Sequence, residues 1–133
     1  MDAKIKLDLD NSVMRVTFSG IFDIEQYQEF YVALVNHKDF TPGMNMIWDV
    51  TELNISMMNT ALVKEIGAVS ILNAKRRGRG KTAFVVGTDF QFGTARMFDS
   101  LLKNSIPAIF RPFKTPIEAE RWIQSGDNSD DQD

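Results

Sequence analysis

The sequence feature that most restricts the fold is the stretch Met44–Gly67, MNMIWDVTELNISMMNTALVKEIG. Its first part, Met44–Val50, is apolar except for two residues, which is typical of an interior strand of a parallel sheet. A short loop follows, and helical periodicity then extends over Ser56–Arg77. Parallel strands need long crossovers between them, and these are usually helices. This strand–loop–helix order therefore predicts an α/β protein.

Four further strands and three further helices surround this stretch. Alternation of apolar and charged residues predicts a hairpin from the strands Ile5–Leu9 and Val13–Gly20. Later strands are predicted at Thr82–Gly87 and Pro107–Phe113, and capping signals place the helices at Asp23–Asn36, from Thr88 or Asp89 to about Asn104, and at Thr115–Gln124. The order ββαβαβαβα predicts one α/β domain with a five-stranded, mostly parallel sheet, one antiparallel edge strand and four helices.

Composition limits the class of protein. A chain of 133 residues that is 44% hydrophobic is expected to form one domain, which we place at residues 1–124. Ser125–Asp133 has no apolar residue and predicts an acidic, disordered tail. A net charge of −3 gives no general attraction to nucleic acid, and no apolar run approaches the ~20 residues of a membrane span. Because the N-terminal residues lack a signal-peptide core, we expect a cytoplasmic protein.

No catalytic or metal-binding arrangement can be built from these residues. The chain has no cysteine, and its only histidine, His37, is expected to place positive charge near a helix end. Gly80-Lys81-Thr82 resembles the end of a phosphate-binding loop, but the first glycine of that motif is missing and a strand follows it. We therefore expect a protein that is not an enzyme and has no cofactor or metal.

Three local patterns, together with the element order, resemble a known family. They are IWDVTEL at residues 47–53, the turn Arg76-Arg77-Gly78 before a short apolar strand, and FGTARMF at residues 92–98. This combination resembles the SpoIIAA-like family, which has the STAS fold of bacterial anti-sigma-factor antagonists, and it extends to about Gln124. The resemblance implies a small cytoplasmic, non-enzymatic domain. For some members, binding of apolar or amphipathic molecules near the membrane, between mobile helices, is proposed.

One segment departs from the antagonists' pattern. They carry a phosphorylatable serine, flanked by small residues, between the third strand and the second helix. Here Ser56 lies near that position, but methionines replace the small residues. Ser56 is therefore either a helix N-cap or a phosphorylation site. With Asp49, Thr51 and Asn54 it forms a candidate partner-binding loop, in which Asp49 is expected to accept hydrogen bonds from the amides of residues 51–54.

The helix over Ser56–Arg77 has more apolar surface than a sheet requires. Its apolar arc spans roughly 220°, whereas a sheet covers about 100°. The two stripes of this arc are Met58, Leu62, Ile66, Val69 and Leu72, and Met57, Ala61, Ala68 and Ile71. The next helix, an apolar ligand, a second copy of the chain or a membrane surface can each cover it.

The main functional prediction is an apolar or amphipathic small molecule bound between this helix and the next. Its binding residues are predicted to be Met57, Met58, Ala61, Ile71, Phe90 and Phe92. Methionine suits such a site because its unbranched side chain adapts to irregular partners. The alternative is a protein-interaction domain of the anti-sigma-antagonist type, which meets its partner at Thr51–Ser56 and the adjacent helix face, with Ser56 phosphorylated or not.

A basic run follows the apolar helix and predicts a second kind of contact. Its cations are Lys75, Arg76, Arg77, Arg79 and Lys81. Cations at the end of an apolar helix favour anionic lipid, and they also complement the dipole of a solvated helix end. We predict weak, salt-sensitive contact with the inner membrane face, which the acidic tail opposes.

Overall fold

The computed structural model describes residues 1–126, so the predicted tail lies outside the described residues from Asp127 onward. The strands are β1 (Asp2–Asp8), β2 (Val13–Ile21), β3 (Asn45–Asn54), β4 (Lys81–Val85) and β5 (Ile109–Phe113). They form one sheet in the order β1-β2-β3-β4-β5, in which β1 is antiparallel to β2 and all other neighbours are parallel. The predicted sheet, with its antiparallel edge strand, is confirmed.

The described chain has five helices, one more than predicted. They are α1 (Ile24–Val35), α2 (Thr60–Leu72), α3 (Ala74–Arg77), α4 (Asp89–Leu102) and α5 (Pro116–Gln124). The single helix predicted over Ser56–Arg77 is wrong at its start and in its continuity. The helix begins after Asn59, whose side chain accepts the amide of Leu62 at 2.8 Å. It is interrupted at Asn73, whose side-chain amide donates to Val69 O at 2.8 Å.

Strand β3 is longer than predicted. The sequence placed its end at Val50, but parallel pairing with β2 continues to Asn54, which lies opposite Ile21. A register shift between Thr17 and Ser19 keeps the two strands together beyond that point. Thr51 and Asn54, which were predicted to lie in a loop, therefore belong to the strand.

Helices cover both faces of the sheet. On one face, α1, α2 and α4 enclose the larger core, which includes the alternating residues Met14, Val16 and Phe18 of β2. On the other face, α5 encloses a smaller core with Trp122 at its centre. Helix α2 contacts mainly α1 and α4 rather than the strands. Its position above the sheet therefore depends largely on the two neighbouring helices.

The buried side of α2 matches the predicted stripes only in part, since Val69 is buried as predicted. Val63, Gly67 and Ser70 face the interior, although the sequence analysis assigned none of them there. A Cβ at Gly67 would lie 3.2 Å from Leu101 Cδ2, so the absence of a side chain lets α4 approach closely. The stripe that includes Ala61 faces solvent instead.

Two of the five predicted surface cations lie in the interior. Arg77, only 1% exposed, donates hydrogen bonds to Met44 O at 2.7 Å, Lys81 O at 3.0 Å and Thr82 Oγ1 at 2.8 Å. Lys81, 3% exposed, donates from Nζ to Trp122 O at 2.8 Å. Since both groups are enclosed, neither can present its charge to a membrane.

Close backbone contacts hold Arg77 in place. Gly43 N donates to Arg77 O at 2.8 Å, and a Cβ at Gly80 would lie 2.5 Å from Met44 O. Gly78 has φ +76°, a conformation that glycine adopts readily. Burial lowers the pKa of Arg77 to about 10, so its guanidinium is still charged at neutral pH.

We expect Arg77→Met to lower the free energy of unfolding by about 2–4 kcal/mol, because buried acceptors lose their donors. Arg79→Met, at an exposed position, is the matched control and should change it by about 0.5 kcal/mol or less. Urea denaturation followed by circular dichroism measures both values. Equal effects of the two substitutions would contradict a specific role for Arg77.

Candidate functional site

An apolar cavity of about 100 Å³ lies between the sheet and α2. Phe18, Trp48 and Phe84 of the sheet form its floor, and Val63 and Ile66 of α2 lie on the opposite side. These residues come from elements whose apolar sides the sequence places inside, but the side chains do not fill the space between them. The cavity is therefore a consequence of tertiary contacts rather than of one motif.

Helix α4 closes the side of the cavity. Ala95 and Phe98 contribute apolar surface, and the neighbouring Gln91 is 5% exposed. The Gln91 side chain donates to Val50 O at 2.8 Å and to Leu53 O at 3.1 Å, while its oxygen accepts Gly87 N at 2.7 Å. Because its amide is fully engaged with backbone, Gln91 joins the end of β3 to α4 without offering a free polar group to the cavity.

A small buried polar cluster lies where α2 meets α1. Burial raises the pKa of Tyr27 and Tyr31, and the nearby Ser70 hydroxyl acts in the opposite direction on both. Neither the Tyr31 hydroxyl nor the Ser70 hydroxyl has a partner in hydrogen-bond geometry. The cluster therefore adds little hydrogen-bond stabilisation to the contact between these helices.

Most residues predicted to bind a ligand lie elsewhere. Met58 lines the cavity, whereas Met57, Ile71 and Phe90 are 39%, 48% and 52% exposed. Ala61 is also exposed, and Phe92 is half-buried with its ring centroid 5.4 Å from Lys114 Nζ. Most of the predicted ligand-binding residues therefore lie on the outer surface of the protein. Ala95 and Phe98 are three residues apart, a spacing that places them on one side of α4, but such spacing does not show which buried residues border a space.

Exposed apolar side chains concentrate around α2 and α4. Six of the eleven large hydrophobic side chains that are exposed among residues 1–126 lie there, and we call them the α2–α4 apolar surface: Met57, Ile71, Leu72, Phe90, Met97 and Leu101. Leu72 is 85% exposed. Since scattered apolar residues are normal but a concentration marks an interaction site, this surface is a candidate contact area.

The predicted partner loop is held by local hydrogen bonds. Asp49 Oδ1 accepts the Thr51 amide at 3.0 Å and the Thr51 hydroxyl at 2.6 Å, which confirms the predicted amide contact at that residue. Asn54 Oδ1 accepts the Ser56 amide at 2.9 Å. Ser56 is exposed, and the N-cap role considered for it belongs to Asn59.

Three further observations concern residues 1–126. His37 Nδ1 accepts the Asp39 amide at 3.1 Å, so the imidazole lies just past the end of α1 and is engaged locally. Within this range no three acidic or histidine side chains come together as a metal site. No helix of the described range has the length and apolar character needed to cross a membrane.

No family model and no curated protein sequence matches the chain. Solved structures do match. An uncharacterized protein of the DUF3478 family with a SpoIIAA-like fold, from Shewanella loihica PV-4, has a TM-score of 0.61 and 17% identity, covering 92% of each chain. An anti-sigma factor antagonist from Mycobacterium paratuberculosis has a TM-score of 0.55 and 13% identity, covering 93% of this chain and 96% of the other. The chain has the SpoIIAA-like fold, which confirms the resemblance at the level of fold.

The two candidate caps of α2 can be separated by stability measurements. Asn59→Ala should lower the free energy of unfolding by about 1 kcal/mol, because the amide of Leu62 loses its acceptor. Ser56→Ala should change it by about 0.5 kcal/mol or less, since the residue is exposed and outside the helix. Thermal or urea unfolding provides the comparison. A larger effect at Ser56 than at Asn59 would show that this assignment of the cap is incorrect.

Proposed function

We propose that this chain is a non-enzymatic regulatory domain that binds a partner protein, as the anti-sigma-factor antagonists do. The contact area consists of residues 51–59 and the α2–α4 apolar surface. The observation that carries this proposal is the concentration of exposed apolar side chains on that side of the molecule. Similarity of fold to an anti-sigma factor antagonist supports the class of function.

The residue types of the surface suit a protein contact. Phe90, Met57 and Met97 belong to the types that are enriched at protein interfaces. Lys64 and Glu65 lie on exposed positions of α2 and supply charges beside the apolar residues. Charges at such a rim favour specificity and association rate more than affinity.

Ser56 is a residue of this area at which phosphorylation can act. Its side chain is exposed and directly precedes Met57 in the chain. A phosphate there adds close to two negative charges beside an apolar residue, and a partner with an apolar surface then binds less well. The residues around Ser56 differ from the sequence motif of the antagonists, but the proposed phosphorylation site lies in the same segment, between β3 and α2.

The partner surface can be tested with charge substitutions. Ile71→Glu and Phe90→Glu should each weaken capture of a partner by about tenfold or more, because a charge must then be desolvated in the interface. Ile117→Glu is the matched control, since Ile117 is 64% exposed on α5, across the sheet. The measurement compares proteins retained by immobilised wild-type and variant chains from a cell lysate.

A protein that is retained by the wild type and by Ile117→Glu, but lost from the two other variants, supports the proposed surface. Ser56→Asp should reduce the same capture, while Ser56→Ala should retain it. Identical retention by all variants would contradict the proposal. Circular dichroism of each variant checks that the fold is intact.

A second candidate function is the binding of a small apolar molecule in the cavity, which its apolar lining favours. The volume of about 100 Å³ is smaller than the engineered cavity of about 150 Å³ that binds benzene or xenon. A compact apolar molecule of that kind therefore suits the cavity better than a long acyl chain does. A longer molecule requires α2 and α4 to move apart.

Filling the cavity provides a direct test. Ala95→Leu should raise the free energy of unfolding by about 1 kcal/mol and abolish binding of xenon or benzene, because the added carbons occupy the space. Ala119→Leu, in the smaller core, should instead destabilise the protein by about 1–3 kcal/mol through overpacking. Unfolding curves and xenon-induced NMR shifts give the two measurements. Unchanged xenon binding in Ala95→Leu would exclude this cavity as the site.

The cellular setting remains part of the proposal. We place the domain at residues 1–124 and the protein in the cytoplasm. Fewer cations are available for the predicted membrane contact, since Arg77 and Lys81 are buried and the exposed Arg76 is tied to α1 by a hydrogen bond from its Nε to Val35 O at 2.8 Å. Lys75 and Arg79 are too few for stable anchoring, so any contact is weak.

A further inference from the structure

The two edge strands of the sheet differ in their protection against pairing with another chain. Strand β5 has five residues and includes Pro112, which has no amide hydrogen to donate. Strand β1 has seven residues and no proline, and it pairs with β2 over its whole length without a register shift. Sheets usually shorten, bend or cover an exposed edge strand. Within residues 1–126 no strand lies beyond β1, so its outer edge is open to another strand.

Side chains of β1 alternate between a charged face and an apolar face. The charged residues are Asp2, Lys4, Lys6 and Asp8, and the apolar residues between them are Ala3, Ile5 and Leu7. Ile5 lies opposite the buried Val16 of β2, yet it is 38% exposed. Because β1 is the last strand of the sheet, Ile5 has a neighbouring strand on one side only. A strand added to this edge can therefore cover it.

Backbone geometry restricts how two β1 strands can pair with each other. Alternate residues of a strand direct their backbone groups to opposite edges, so residues facing each other in an antiparallel pair are both even-numbered or both odd-numbered. Pairing centred on Ile5 places Asp2 opposite Asp8. It also places Lys4 opposite Lys6. Like charges in such positions are destabilising, so this register is disfavoured.

Pairing centred on Lys6 gives complementary contacts. Lys4 of each copy then lies opposite Asp8 of the other copy, and opposite charges in such pairs are stabilising. On the apolar face, Ile5 of each copy lies opposite Leu7 of the other. Lys6 faces itself at the centre, where its long side chains can diverge into solvent.

Pairing centred on Lys4 also brings opposite charges together, because Asp2 then lies opposite Lys6. In that register Ile5 meets only Ala3, so less apolar surface is removed from water. The register centred on Lys6 is therefore the one that combines charge complementarity with the larger apolar contact.

We propose that two copies of this chain associate through their β1 edges, with Lys6 at the two-fold axis, and form one continuous sheet. Backbone hydrogen bonds join the strands, and the Lys4–Asp8 pairs between copies select the register. Asp8 is already positioned by Arg15 of its own chain, whose Nη2 lies 3.0 Å from Asp8 Oδ2. The contact does not depend on the α2–α4 apolar surface, because β2 separates β1 from β3. The dimer carries two copies of that surface.

Disulfide trapping tests the contact and its register, because the chain has no cysteine of its own. A residue at the two-fold axis faces its own copy with Cβ atoms about 4.5–5.5 Å apart, close to the distance that a disulfide requires. Under mild oxidation, Lys6→Cys should form linked dimers about fivefold or more in excess of Lys4→Cys and Ile5→Cys. Thr17→Cys, exposed on β2, is the control for random collision. Non-reducing electrophoresis measures the linked fraction.

Sedimentation of the cysteine-free chain gives an independent measurement. Lys4→Glu places like charge opposite Asp8 and should weaken association by about tenfold or more. Lys64→Glu makes the same charge change at an exposed position of α2 and should leave association unchanged. A wild-type chain that stays monomeric at about 1 mM, equal weakening by the two glutamate substitutions, or linkage of Lys6→Cys no greater than that of the other cysteine variants would each overturn the proposal.

Discussion

The packing of the Trp48 ring is the interaction on which the larger core depends. Its centroid lies 5.2 Å from Phe18, 5.8 Å from Phe84 and 6.1 Å from Tyr31, and its Nε1 donates to Met46 Sδ at 3.3 Å. Such rings are large and rigid, so they join the strands to α1 but cannot adjust to every neighbour. The cavity is the space between this aromatic floor and α2.

The distance between α2 and the sheet depends on the residues that α2 contacts. Gly67 permits close contact with Leu101, and the interruption at Asn73 turns the chain toward the buried Arg77. Both constraints act at the second half of α2 and after it. The first half meets the sheet only through side chains such as Val63 and Ile66, which border the cavity. The inner side of helix α2 therefore borders the incompletely filled cavity, whereas its outer side carries exposed apolar residues.

The order of strands and helices along the chain and the caps at Asp23 and Thr115 could be predicted because their signals are local: alternation, or a polar residue before an apolar run. The start of α2 could not be predicted in this way. Ser56 and Asn59 are both good caps, and the choice depends on β2, which holds β3 in the sheet as far as Asn54. That pairing is a long-range contact and leaves no local pattern.

The basic run, residues 75–81, also could not be interpreted from local sequence alone. Its five cations look alike in sequence, yet two are buried and one of the exposed three is tied to the end of α1. The difference comes from backbone carbonyls at the starts of β3 and β4, which accept the hydrogen bonds of Arg77 only when the strands are assembled. A charged residue is tolerated inside because these acceptors replace water.

Fold and local chemistry contribute separately to the proposed function. The SpoIIAA-like fold fixes where the segment between β3 and α2 lies, whereas its residues decide what it can contact. Ile55 is 9% exposed and anchors this segment, so Ser56 and Met57 point outward beside the start of α2. Small residues would admit a close approach of backbone to partner, but methionine presents an adaptable thioether instead. The proposed partner would therefore have to offer an apolar surface that fits flexible side chains, with selectivity supplied by the neighbouring charges on α2.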